Sequence, residues 1–118
     1  MDGFNPLETA ALRDICTRFP EDRVVLETQL TSAEVTAREN TGAGFYTRFG
    51  VSHDGAALAG ERLRSGGWAR VDGFKNPVGF ILWLAGGYAD CLEGFTIDDS
   101  TAGLDFSTVG FDMMAGDS

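Results

Sequence analysis

Near residue 32 the spacing of apolar residues changes period, and this change restricts the fold more than any other feature of the chain. Before it, Leu7, Ala11 and Ile15 recur at i, i+4 and i+8, with Leu12, Cys16 and Phe19 beside them, which is the stripe of an amphipathic helix. After it, polar and apolar residues alternate, as in Glu34-Val35-Thr36-Ala37-Arg38, which is the period of a half-buried strand. Helices followed by strands, without βαβ alternation, specify an α+β domain. The expected architecture is two N-terminal helices packed on one face of an antiparallel sheet of four to six strands.

Local signals give the elements. Asn5 can cap a helix, Pro6 suits its first position and Glu8 sits where a capping-box acid belongs. Pro20 stops that helix, and Pro20-Glu21-Asp22 can open a second whose buried side is Leu26 and Leu30, with Val25 nearby. The expected helices are 6–18 and 21–31. A hairpin of 33–39 and 43–51 turns at Asn40-Thr41-Gly42-Ala43-Gly44. Residues 52–67 give no clear assignment beyond a strand around 61–64, and Trp68–Val71 reads as a short strand.

Val78–Ala85 is the length of a strand and far short of a membrane crossing. Gly86-Gly87 then supplies the positive φ of a tight hairpin turn. A two-residue turn places Leu84 opposite Ala89, Leu82 opposite Cys91 and Phe80 opposite Glu93, with Ile81 and Leu92 on the other face beside Trp83 and Asp90. Apolar residues on both faces make this hairpin central, with helices over one side. A last strand is expected within Leu104–Met114, presenting Val109, Phe111 and Met113, before a fraying tail of 115–118.

A chain of 118 residues fits one domain, 1–118. Its net charge of −9 is unevenly placed. Residues 1–71 carry ten acids and eight bases, whereas 72–118 carry eight acids and only Lys75. Such a surface repels phosphate backbones, so no nucleic-acid partner is expected. No signal peptide or membrane span is legible, and two distant cysteines suit neither a disulfide framework nor a zinc site. A cytoplasmic protein with reduced thiols, and no membrane partner, is the simplest expectation.

The residues that carry chemistry yield no complete catalytic set. Cys91 has Asp90 and Glu93 for neighbours, which oppose a thiolate. His53-Asp54 lies in a glycine-rich loop. Asp98, Asp99 and Asp105 do not match a calcium-loop spacing, and Asn40–Gly44 lacks the third glycine and the lysine of phosphate-binding loops. No metal and no cofactor are expected. Glu93 stands out, because the hairpin register puts it beside Phe80, Leu82 and Leu84, where a carboxylate needs a partner. Arg38, Arg48 and Arg70 are the candidate partners. Glu93 with Arg38, Arg48 and His53 forms the candidate ligand-binding set.

Arg38-Glu39-Asn40-Thr41-Gly42-Ala43-Gly44-Phe45, then Gly79–Leu84 and Leu92-Glu93-Gly94-Phe95-Thr96, resemble small uncharacterised bacterial α+β proteins. The last strand is similar to one found in proteins of immunity type. The resemblance implies a fold and no catalytic residue or cofactor.

Three functional expectations follow. The first is a non-catalytic binding or interaction domain, as a homodimer or with another partner, using the aromatic surface of Tyr46, Phe49, Trp68 and Trp83. The second is an acidic immunity or inhibitor protein with a basic protein partner. The third is a small enzyme or ligand pocket around Glu93.

Overall fold

The computed structural model describes residues 3–114; the expected tail at 115–118 lies outside them. Helix α1 spans Pro6–Arg18 and α2 spans Arg23–Thr31. Six strands follow: β1 Glu34–Asn40, β2 Gly44–Gly50, β3 Leu63–Val71, β4 Val78–Ala85, β5 Tyr88–Phe95 and β6 Phe111–Met113. They form one antiparallel sheet in the order β1-β2-β5-β4-β3-β6, with the β4–β5 hairpin at its centre. The expected α+β architecture is therefore the observed one. Both helices lie on the same side, and the shortest dimension of the molecule is 22 Å. Among the described residues no helix or strand covers the far side of the sheet.

The start of α1 is a capping box: the Glu8 N–H donates to Asn5 Oδ1 and the Asn5 N–H donates to Glu8 Oε1, each at 2.8 Å. Helix α2 begins two residues later than its sequence signals imply. Asp22 makes no side-chain cap, because its Oδ2 accepts from Arg64 Nε at 2.9 Å. The unassigned stretch ends in one strand, β3, interrupted by a bulge at Gly66-Gly67. A Cβ on Gly66 would stand 2.9 Å from Ile15 Cγ1, and the Gly67 N–H donates to Asp14 Oδ2 at 2.8 Å. The missing side chains let α1 lie directly on the strand.

The final strand is shorter than expected. Asp105 Oδ1 accepts from the Ser107 N–H and hydroxyl at 2.9 and 2.6 Å, and this Asx turn keeps 105–108 out of the ladder. Only Phe111–Met113 pairs, with β3.

The central hairpin holds the main correction. Ala85 faces Tyr88 and Leu84 faces Ala89, as a two-residue turn requires. Beyond them Asp90 is an extra residue, so Trp83 faces Cys91, Leu82 faces Leu92, Ile81 faces Glu93 and Phe80 faces Gly94. Without this bulge Leu92 would point outwards and Glu93 would be forced under the helices. With it, Leu82 and Leu92 are both fully buried and Glu93 leaves the core.

The core lies between the helices and this one face. Leu7, Ala11, Leu12, Ile15, Leu26 and Leu30 pack against Phe45, Phe49, Val78, Phe80, Leu82, Leu84, Ala89 and Leu92. Gln29 ties α2 to the hairpin end: its Oε1 accepts the Ala89 N–H at 2.9 Å, and its Nε2 donates to the Ala56 and Gly87 carbonyls at 3.1 Å.

Candidate functional site

Strand alternation and pairing decide what stands on the uncovered face. One row across the sheet is Glu39, Tyr46, Glu93, Ile81 and Ser65; the next is Ala37, Arg48, Cys91, Trp83 and Leu63. A third holds Phe95, Gly79 and Trp68. The Phe95 ring lies where a side chain on Gly79 would be, and meets Trp68 edge-on at 5.4 Å and 77°. Tyr46, Ile81, Trp83 and Phe95 are half-buried, and Trp68 is exposed.

The polar groups of this face form a loose frame around the rings. Trp83 Nε1 donates to Glu93 Oε1 at 3.0 Å. The Arg48 guanidinium lies 5.3 Å from the centre of the Tyr46 ring and 3.8 Å from Glu39 Oε1. Arg62 lies 5.9 Å from the centre of the Trp83 ring. The charge of Glu93 raises the Tyr46 pKa. A shallow depression of about 440 Å³ opens here, lined by Tyr46, Arg48, Arg62, Trp83, Asp90 and Cys91.

Cys91 is buried in this face and not in the main core. Its partner across β4 is Trp83, where the simple register expected Leu82. Burial pushes its thiol up, Asp90 and Glu93 add to that, and Arg48 opposes it. A shielded thiol in such surroundings is a poor nucleophile.

The four candidate ligand residues do not form one site. Glu93 and Arg48 share the open face. Arg38 alternates to the helix side, where it pairs with Glu8, a partner the sequence reading did not name. His53 stacks on Tyr88 at 4.0 Å and 10°, at the turn end of the hairpin. Phe49, expected as surface, is buried and meets Phe4 edge-on at 5.2 Å. Its alternation with Thr47 and Phe45 assigns it to the covered side. Phe95 and Arg62 belong to the face and were missed, whereas Ile81 stands beside Trp83 as expected. Period two from Trp83 identifies Ile81, but Phe95 needs the bulge to be known.

Glu8 is 1% exposed and fully satisfied. Arg38 Nε and Nη2 grip its two oxygens at 2.9 Å, and the Asn5 N–H and the Thr47 hydroxyl complete the set. Burial alone would raise its pKa, but these hydrogen bonds and the charge of Arg38 outweigh it and hold the carboxyl below the ordinary value. A cleft of about 540 Å³ with walls of Phe4, Phe45, Leu104 and Phe106 adjoins this pair. The hydrogen bonds of Glu8 run entirely within the chain, which makes it a structural tie. Among the described residues no group of three His, Cys, Asp or Glu side chains could hold a metal, and no helix is long and apolar enough to cross a membrane.

Comparison with protein-family models, curated proteins and solved structures finds no match to this chain.

Proposed function

We propose that the protein is a non-catalytic binding domain that receives a macromolecular partner on the open face of its sheet. One observation carries this reading: Tyr46, Ile81, Trp83, Phe95 and Trp68 form a contiguous aromatic and aliphatic patch on a face that no described helix or strand covers. A solvated sheet face ordinarily alternates to polar residues, and an apolar patch rimmed by charge is the ordinary form of an interaction surface. Tryptophan, tyrosine and arginine, all present here, are the residues that most often anchor such contacts.

The enzymatic reading has less support. Cys91 is shielded with a raised pKa, and the sole histidine, His53, is engaged at the hairpin end. The basic-partner reading rests on the acids of 72–118, several of which build turns. Asp99 accepts the Lys75 and Asn76 N–H groups at 3.1 and 3.0 Å, and Asp105 holds Ser107.

A photo-crosslinking residue in place of Ile81 tests the proposal, with one in place of Val24, exposed on the helix layer, as control. In the native cell the reading expects adducts from position 81 and none from 24. No adduct from 81, or equal adducts from both, would overturn it.

A further inference from the structure

The open face also indicates what it binds. Resting on the binding-domain reading, we infer that the partner is a second copy of this chain, joined sheet face to sheet face about a two-fold axis.

The first argument is charge. Although the chain carries −9, the open face and its rim hold Arg48, Arg62 and Arg70, three of the nine basic residues, together with Glu39, Asp90, Glu93 and Asp112. Arg70 stands directly across from Asp112. A two-fold contact sets one patch against itself, so it needs both signs of charge in that patch. A strongly basic or acidic partner would be matched by a single sign.

The second argument concerns the edges. Association by adding a strand requires an open, regular edge. Strand β1 is bulged between Val35 and Ala37 and carries Glu34, Arg38 and Glu39, while β6 has only three residues. Both edges are blunted. The flat face remains.

The third argument is size. Strands β1 to β5, about 4.8 Å apart and about 25 Å long, present roughly 600 Å² per copy and roughly 1,200 Å² for the pair. That lies at the lower limit of specific interfaces and fits a dimer that separates on dilution. Two such faces pack about 10 Å apart with interdigitating side chains, as sandwich sheets do.

Sedimentation velocity of the full chain, from about 1 to about 500 µM at near-physiological salt, tests this directly. The mass should rise from 12.6 kDa towards twice that value. Arg48→Glu with Arg62→Glu makes the depression and its rim uniformly acidic, and should raise the dissociation constant at least tenfold. Arg13→Glu with Arg23→Glu changes net charge equally on the exposed helix layer and should leave association intact; circular dichroism checks that both variants fold. A wild type that stays monomeric at the highest concentration, or equal weakening by both double variants, would overturn the inference. If the wild type is monomeric while position 81 crosslinks a different protein, the second copy is excluded and the binding face stands. A dimer that crosslinks through position 24 and not 81 defeats the binding-face reading itself.

Discussion

The two faces of the sheet are built by the same strands and differ less in apolar content than in what happens to polar atoms. Under the helices, Phe80, Leu82, Val78 and Leu92 are at most 2% exposed. The polar groups that enter there are held by several partners each: Glu8 by Asn5, Arg38 and Thr47, Gln29 by Ala56, Gly87 and Ala89, and Arg64 by Asp22, Ala59, Glu61 and Leu63. On the open face, Tyr46, Trp83, Phe95 and Trp68 have rings as large, but among the described residues Glu93 has the single Trp83 N–H and Arg48 only a distant Glu39. Buried polar groups must be saturated, because an unmet one costs about 1–3 kcal/mol. Loosely held ones remain free to meet a partner. Scaffold and site are distinguished here by hydrogen-bond saturation, and composition alone would not separate them.

The largest expected break of this contrast is Leu82→Ala, which should destabilise by about 2–5 kcal/mol in urea unfolding, as a fully buried truncation does. A loss below about 0.5 kcal/mol would mean that the side chain is not in the core.

Glu8→Ala should follow, at about 2–3 kcal/mol, since it removes half of the capping box and strands the buried Thr47 hydroxyl. The folded-state pKa of Glu8 lies below its unfolded value of 4.5, so its contribution is complete above that pH. It is lost as pH falls through the depressed folded value. Urea midpoints of wild type and Glu8→Ala, measured against pH, should be far apart at neutrality and converge in acid. A constant gap would show that the carboxylate charge contributes nothing.

On the open face the effects should be smaller. Ile81→Ala should cost less than about 1 kcal/mol in the dilute chain, because the residue is only half-buried. A loss comparable to Leu82→Ala would erase the distinction between the faces.

The smallest effect concerns the thiols. Burial pushes the Cys16 pKa up to about 11 and raises that of Cys91 as well, so both should be alkylated slowly in the native state at neutral pH. Trp83→Ala should speed Cys91 and leave Cys16 unchanged, as mass spectrometry after brief alkylation would show. Faster labelling of Cys91 in native wild type than in denatured chain would restore a reactive-cysteine mechanism.

The periodicity at Leu7, Ala11 and Ile15 and the Gly86-Gly87 turn were enough to identify the helices and the central hairpin, because both signals are local. What escaped was non-local. Nothing near Arg38 indicates Glu8, thirty residues earlier and across a layer. Gly66-Gly67 looks like loop until α1 is known to press on it. The register past Ala89 depended on where Leu92 could be buried, a demand that comes from the helices. The candidate site was legible to the extent that Glu93, Arg48, Trp83, Tyr46 and Trp68 were named, but its unity as one face depended on that register.

The extra residue at Asp90 uncouples the length of β5 from its register. Tyr88 and Ala89 are set by the turn, whereas Cys91 to Phe95 are set by the body of the sheet, and Asp90 is the joint between two reading frames. Deleting it while changing no other residue would straighten the ladder and keep the same pairs, with Cys91 opposite Trp83, Leu92 opposite Leu82 and Glu93 opposite Ile81. Forcing Asp90 itself into the ladder opposite Trp83 would instead exchange inside for outside over five positions, sending Leu92 to water and Glu93 under the helices. In homologous chains this strand should therefore accept an aligned gap at residue 90 without a change of surface.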